Sequence, residues 1–208
     1  MTEPDSKRKH RITLTTGRIE TLTDGIFAIA MTLLVLSLNL PETVTGATDV
    51  QLRDLLFGQA HKFVNYALSF VLLAIFWIVH HQQFHHIKRT DSRLLWINIF
   101  ILMFVVMMPF STDLVGDFSG QTTAEILFAT NMLILGLLFT ANWVYATRNH
   151  RLVDPELDGE FITKATRRNL VTPAISVIVI LLSLFIPHWS TWLYVMVPVV
   201  LALGPFRR

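Results

Sequence analysis

Cysteine is absent from the 208-residue sequence. Its absence excludes disulfides, thiolate metal ligands, thiol nucleophiles and palmitoylation. Charged residues are also scarce, at 15% of the chain, whereas hydrophobic residues make up 52%. Together with a mean hydropathy of +0.52, this composition excludes an ordinary soluble domain and indicates an integral membrane protein.

Several other features are missing. The first 17 residues are polar and basic, and the apolar run that follows continues past any small-residue cleavage site, so we expect no cleavable signal peptide. We find no internal repeat and no low-complexity tract, which favours one domain over residues 1–208. The basic residues lie in short loops rather than on one polar surface, so nucleic acid is not an expected partner.

Long apolar runs are what the sequence does contain. Segments of roughly 17 to 25 apolar residues are long enough to cross the hydrocarbon core of a bilayer as helices. Such segments predict an all-α membrane protein with six transmembrane helices. We place them at about residues 18–40, 58–86, 94–112, 122–147, 168–187 and 190–205.

The Lys and Arg residues predict the orientation of these spans. When alternate loops are assigned to opposite sides, fifteen basic residues fall on one side and only Arg53 and Lys62 on the other. Cytoplasmic loops carry such an excess of positive charge. We therefore expect both termini to be cytoplasmic in a multi-pass protein of the cell membrane. The segment 42–60 suits either an amphipathic helix on the outer surface or a polar loop.

The first span has a stripe of apolar residues and a charged mouth. Positions three and four apart share one face of a helix, and here that face carries Ile29, Leu33, Leu36 and Leu40. Thr32 borders the stripe, and Gly25 and Ala28 offer small surfaces on which another helix can approach closely. Taken alone, the stripe favours lipid contact or helix packing rather than a pore.

Charged residues at the start of this span need partners on another element. Arg18 and Asp24 are six residues apart, about 240° around the helix at 100° per residue, so they do not pair with each other. Trp77 and His81 are four apart near the same end of the second span and could satisfy Asp24 by a hydrogen bond. The alternative is that these charged and histidine side chains simply reach the lipid headgroups.

Two motifs lie near one end of the first two spans. The first reads Arg18-x-x-x-Leu22-Thr23-Asp24-Gly25, and the second is a W-x-x-H-H element formed by Trp77, His80 and His81. The first motif is similar to the RxxxFSDG signature of the transmembrane protein 175 family of potassium channels, and the two together resemble the bacterial branch of that family. Leu22 and Thr23 depart from the phenylalanine and serine of the signature, and both changes conserve size or chemistry.

The resemblance implies a homotetramer in which the first helix of each subunit lines a central pore. It implies a constriction of apolar rings at Ile29, Leu33 and Leu36, with a hydroxyl layer at Thr32. The permeant ion would be K⁺, weakly favoured over Na⁺ among monovalent cations, and no cofactor is implied. The residues of the two motifs would support the architecture rather than touch the ion: Arg18, Thr23, Asp24, Gly25, Trp77, His80 and His81.

Two other classes of function compete with this interpretation. An intramembrane enzyme would need a nucleophile or a metal site, and the histidines at 80, 81, 85 and 86 have no HExxH, GxSxG or acidic pair beside them. We therefore expect no enzyme and no metal centre. A proton-coupled or cation secondary transporter using Asp24 and His81 as a relay is the stronger alternative, although matched repeats and broken helices are not evident in the sequence.

A few isolated polar residues lie inside or beside the predicted spans. Asn98, Asn131 and Asn142 are expected to form hydrogen bonds between helices, worth about 0.6 kcal/mol each on average. Asp113 and Asp117 lie near the outer end of the third span. They could concentrate cations there, or they could belong to a solvated loop.

Overall fold

The computed structural model describes residues 15–39 and 48–203. Within these residues the chain is helical and has no strand beyond one isolated bridge between Ile87 and Val153. The helices are α1 (Thr16–Leu33), α2 (Asp49–Gly58), α3 (Ala60–His86), α4 (Ser92–Val106), α5 (Met108–Asp117), α6 (Thr122–Thr147), α7 (Gly159–Asn169), α8 (Val171–Ser183), α9 (Pro187–Ser190) and α10 (Met196–Leu203).

Among the described residues, five helical segments are long and apolar enough to cross a membrane. They are Thr16–Ser37, Ala60–His86, Ser92–Asp117, Thr122–His150 and Gly159–Ser183. A sixth apolar helix, Thr191–Leu201, is shorter. It consists of a 3₁₀ segment followed by most of α10. The all-α membrane architecture is confirmed, with a sixth segment that is less regular than the other five.

The third span is longer than the sequence predicted and is interrupted at Met107. Pro109 has no N–H to donate to the preceding turn, and α4 ends at Val106 while α5 begins at Met108. The chain then continues as helix to Asp117. Pro109 therefore lies inside the span, which continues past the predicted end at residue 112.

The fifth span begins earlier than predicted because a polar helix precedes it. The Asp158 carboxylate accepts a hydrogen bond from the Glu160 N–H and caps α7, and the helix has basic residues in its last turn. Cations at a helix C-terminus and an acidic N-cap both stabilise a helix. We therefore interpret α7 as a polar extension of the apolar α8.

Helix α6 lies at the centre of the bundle and packs against α8, α4 and α5. Its contact with α8 is unusually close, because a Cβ atom built on Gly136 would lie 2.5 Å from Cδ of Pro173. Only glycine fits at this crossing without moving the proline ring. Phe128, Met132 and Phe139 fill the core around it.

Helix α1 divides into a buried face and an exposed face. Residues at spacings of three and four are buried against the rest of the subunit, namely Ile19, Thr23, Phe27, Ala30 and Leu34. After Leu33 the helix tightens into a 3₁₀ turn at Leu34–Ser37. The first span was predicted to reach residue 40, and Leu40 lies outside the described residues.

Lys62 holds the helices together at the end of the bundle opposite the Asp24 motif. Its ammonium donates to Asn39 Oδ1 at 3.0 Å and pairs with Asp117 at 2.5 Å, so it joins the ends of the first three spans. Asp117 is therefore an ion-pair partner in the subunit rather than only a solvated loop residue. Nearby, the predicted amphipathic segment forms α2, capped reciprocally by Thr48 and Gln51, and residues 42–47 lie outside the described chain.

Candidate functional site

Asp24 is held by the second span. The Trp77 indole Nε1–H donates a hydrogen bond to Asp24 Oδ1 at 2.8 Å. Because the indole has a single polar hydrogen and the acceptor is a carboxylate, the bond is charge-assisted and directional. Of the two partners that the sequence suggested for Asp24, the structure pairs it with Trp77.

His81 contacts Trp77 rather than Asp24. The two rings stack with centroids 6.3 Å apart and planes 26° apart, as expected for residues one helical turn apart. Arg18 is exposed, and within the described part of the chain its guanidinium forms no ion pair. The guanidinium therefore lies on the surface of the described chain.

His80 and Thr23 belong to a buried polar network. His80 Nε2 lies 2.9 Å from Asn98 Oδ1 and 3.5 Å from the Thr23 hydroxyl. Both amide hydrogens of Asn98 are used elsewhere, one on Leu94 O and one on Asn142 Oδ1. The Asn98 oxygen is therefore an acceptor, and Nε2 of His80 carries the proton that it receives.

The network continues into the fourth span. Asn142 Nδ2 donates to Gln83 Oε1 at 2.8 Å, and Gln83 Nε2 donates to Phe139 O at 3.1 Å. The predicted inter-helix bonding of Asn98 and Asn142 is confirmed. We did not single out Gln83, although it lies three residues after His80 on the same face of α3 and is a rare amide near the end of an apolar span.

The apolar stripe of α1 is left exposed in the part of the chain that the structure describes. The side chains of Ile29, Leu33 and Leu36 are exposed by 55%, 39% and 67%. Thr32 is exposed beside them and donates its hydroxyl proton to Ile29 O at 2.8 Å. That bond leaves the oxygen lone pairs of Thr32 directed away from the backbone and free to accept.

Gly25 lies at the start of the same exposed face. A Cβ atom built there would meet no atom of the described residues within 4 Å. The described part of the chain therefore does not require glycine at this position and leaves space for the close approach of a helix.

The histidines do not form a metal centre in the part of the chain that the structure describes. No group of three or more His, Cys, Asp or Glu side chains there could hold a metal ion. His80 is buried in the amide network, whereas the rings of His85 and His86 contact each other at 5.1 Å.

The fold is that of a polytopic α-helical membrane protein, because several of its helices are apolar and long enough to span a membrane. Two further features are a charged motif bonded to a tryptophan and an exposed apolar face on the first helix. A family model described as endosomal/lysosomal potassium channel TMEM175 matches residues 18–109, which include both motifs. The chain belongs to the TMEM175 family, a family of channels.

Bacterial relatives match over most of their length. A potassium channel of Streptomyces collinus is 33% identical over 155 residues, which are 73% of this chain and 73% of that protein. A potassium channel of Chamaesiphon minutus is 31% identical over 191 residues, covering 90% and 92%.

A solved structure is also similar. The crystal structure of a lysosomal potassium-selective channel TMEM175 homolog from Chamaesiphon minutus superposes with a TM-score of 0.78 at 26% identity. The match covers 90% of this chain and 96% of that one. The fold of the subunit is therefore the fold of a TMEM175 channel.

Proposed function

We propose that this protein is a potassium channel of the cell membrane that conducts K⁺ through a hydrophobic constriction on the first helix. The observation that carries the proposal is the uncovered face of α1, where Ile29, Leu33 and Leu36 stand out from the subunit. The names of the bacterial relatives as potassium channels support the same ion.

The arrangement of this face suits a narrow pore. Side chains of one residue type on symmetry-related helices form rings around an axis, and apolar rings can gate by dewetting. The Thr32 oxygens, which keep free lone pairs, can replace part of the hydration shell of an ion. K⁺ holds its water less strongly than Na⁺, so a narrow apolar neck favours K⁺ modestly.

One helix cannot enclose a pore alone, so the proposal requires assembly. We propose a cyclic homotetramer in which four copies of α1 surround the axis and meet near Gly25 and Ala28. The open space at Gly25 supports a close approach there. The excess of basic residues on one side supports cytoplasmic termini.

The signature residues have a supporting role in this proposal. Asp24 is directed at Trp77 of the second span, and Thr23 and His80 are buried within the subunit. Their contacts fix the orientation of α1 against α3 and so determine which face α1 presents to the axis. Neither Asp24 nor His80 needs to touch the ion.

A proton-coupled or cation transporter remains the alternative class. Its simplest relay would pass a proton between Asp24 and His81, but the structure bonds Asp24 to Trp77 and stacks His81 on that ring. Turnover separates the two classes, because a channel passes ions far faster than a carrier can cycle.

The decisive experiment is reconstitution of the full-length protein in liposomes. We expect steady K⁺ flux, smaller Na⁺ flux and single-channel events in planar bilayers, with H⁺ flux measured as a control. Mass measurement of the detergent-solubilised protein should give four copies. Flux limited to carrier rates, or conduction by a stable monomer, would overturn the proposal.

A further inference from the structure

A cavity of about 400 Å³ lies away from the α1 stripe, between the C-terminal ends of α3 and α6 and the polar helix α7. Trp143 and Phe161 form its aromatic wall, with ring centroids 6.2 Å apart. Gln82, Lys164, Arg168 and Asn169 supply polar groups. The cavity therefore combines an apolar wall with convergent polar side chains, as ligand sites do.

Arg168 is an uncompensated cation in this cavity. Its Nη2 donates to the neutral Gln82 Oε1 at 2.5 Å, while its Nε is buried and has no hydrogen-bond partner among the described residues. The ion pairs that the structure describes do not include Arg168. A partly buried guanidinium without a counter-ion is unfavourable unless an anion occupies the space beside it.

Asn169 leaves further polar atoms unsatisfied at the same place. Its side chain is only 8% exposed, and neither Nδ2 nor Oδ1 finds a hydrogen-bond partner within the described chain. Buried amides are almost always bonded. Arg168 and Asn169 thus follow one another in sequence, both line the cavity, and both carry buried polar atoms that have no partner among the described residues.

A second cation lies one helical turn before Arg168. Lys164 lines the same cavity and is oriented by Glu160, whose carboxylate lies 2.8 Å from its ammonium. The Glu160 side chain is 72% exposed, so water screens this pair and Lys164 retains the capacity to attract a second anion.

We propose that this cavity binds a phosphate group. The planar fork of Arg168 matches two phosphate oxygens, and the Asn169 amide can donate to a third. Trp143 and Phe161 would contact the apolar part of the same molecule. A phospholipid headgroup of the basic-side leaflet and a soluble phosphate share this chemistry, and basic pockets between helices at the cytoplasmic membrane surface suit anionic headgroups.

The cavity also borders the family motif. His81 lines it and stacks on Trp77, which holds Asp24. The His81 and Trp77 rings therefore lie between a bound phosphate and the Asp24 carboxylate of α1.

The test is a binding titration on the full-length protein in a neutral detergent, monitored by the unfolding temperature at constant ionic strength. The probes are dioctanoyl phosphatidic acid, inorganic phosphate and dioctanoylglycerol, which lacks the phosphate. We expect phosphatidic acid to stabilise the protein and dioctanoylglycerol not to do so. Arg168→Gln should weaken phosphate binding by about tenfold or more, the loss expected when a charge-assisted hydrogen bond is removed.

Arg167→Gln is the matched control. Arg167 carries the same charge on the same helix, is exposed and does not line the cavity, so its substitution should leave the affinity unchanged. Asn169→Leu preserves all charges and should also weaken binding, which keeps the test decisive if Arg168→Gln fails to fold.

The outcomes distinguish the two sources of phosphate. Stabilisation by phosphatidic acid alone assigns a lipid headgroup, and stabilisation by inorganic phosphate as well assigns a site that accepts soluble phosphate. Absence of binding by both probes would overturn the proposal. Equal loss in Arg167→Gln and Arg168→Gln would do the same, because it would indicate general surface charge. The readout is independent of ion conduction.

Discussion

The Trp77 indole nitrogen lies 2.8 Å from the Asp24 carboxylate and joins the second span to the charged mouth of the first. Near a bilayer, a carboxylate without a partner is costly. The bond therefore does two things at once. It makes the charge tolerable, and it fixes the rotation of α1 about its own axis.

Removing the indole donor should destabilise the subunit. Trp77→Phe keeps an aromatic ring but leaves Asp24 without its N–H, and we expect a loss of about 1.5 kcal/mol, typical of a hydrogen bond to a charged group. Thermal unfolding and the yield of assembled protein in detergent measure the effect. Trp96→Phe is the control, because Trp96 is exposed and its recorded contact is with the ring of Phe100. Equal stability of both variants would show that the Trp77–Asp24 hydrogen bond does not stabilise the protein.

Polar substitution on the α1 stripe should wet the proposed constriction. Ile29→Asn or Leu33→Asn places an amide from every subunit where an apolar ring stood, so current should rise and K⁺ over Na⁺ discrimination should fall. Bilayer recordings of each variant beside the parent measure both quantities. Ile178→Asn makes a similar change on the exposed surface of α8 and should leave conduction unaltered. Unchanged current in both Ile29→Asn and Leu33→Asn would contradict the placement of the pore on this face of α1.

The Thr32 hydroxyl should affect selectivity without a comparable effect on conductance. Thr32→Val preserves shape and removes the oxygen that could coordinate an ion, so K⁺ over Na⁺ discrimination should decrease. Reversal potentials under mixed-ion conditions measure it. Thr21→Val is a close control, because Thr21 also bonds a backbone carbonyl of its own helix and lies eleven residues earlier, within about 20° of the same face. A selectivity loss in both variants would argue against a specific layer at Thr32.

Two asparagines of the fourth span allow a matched stability test. Asn142→Leu leaves Gln83 Oε1 and an amide hydrogen of Asn98 without partners, and we expect a cost of about 2 kcal/mol. Asn131 makes one long bond, 3.3 Å to Ser111, and its Oδ1 is buried without a partner in the described chain. Asn131→Leu should therefore cost no more than about 0.6 kcal/mol. Equilibrium unfolding of both variants checks the order, and a larger loss for Asn131→Leu would contradict the network.

Stability should depend on pH through Asp91, which lies outside the spans. Burial opposes its ionisation, but hydrogen bonds from Tyr145 and from the Leu94 N–H, together with the Arg151 charge, outweigh that effect and lower the pKa of Asp91. A depressed pKa contributes stability above the ordinary value of about 3.9, and this is lost as the pH falls through the folded-state value.

Tyr145→Phe removes the hydroxyl that bonds Asp91 Oδ2 at 2.6 Å. The variant should be less stable than the parent at pH 7, and the difference should shrink as the pH falls below about 3.9, the ordinary value for Asp. Unfolding temperatures across this range provide the measurement. For Tyr66→Phe, whose ring packs against Phe70, any effect should be the same at every pH, so a pH-dependent loss there would contradict the assignment to Asp91.

The sequence predicted the elements whose cause is local. Runs of apolar residues predicted the spans. Trp77 and Asp24 were expected to lie at the same depth in the membrane, which made Trp77 one of the two predicted partners of Asp24. The asparagines were rightly expected to bond between helices, because an unsatisfied amide in hydrocarbon is unfavourable.

What the sequence could not predict depends on contacts between distant segments. Gln83 reads as an ordinary polar residue near a span end until α6 places Asn142 beside it. The close crossing of Gly136 and Pro173 requires both helices to be docked. The early start of the fifth span was missed because α7 is polar, and hydropathy does not show that such a segment continues into the apolar helix that follows.

The 3₁₀ turn after Leu33 has a consequence for the angular position of Leu36. Three residues advance by about 300° in an α-helix but by a full 360° in a 3₁₀-helix. With the tighter winding of Leu34–Ser37, Leu36 lies almost directly above Leu33 instead of about 60° to one side. The local pitch of the backbone, as well as the choice of leucine, thus decides whether two successive side chains face the same direction.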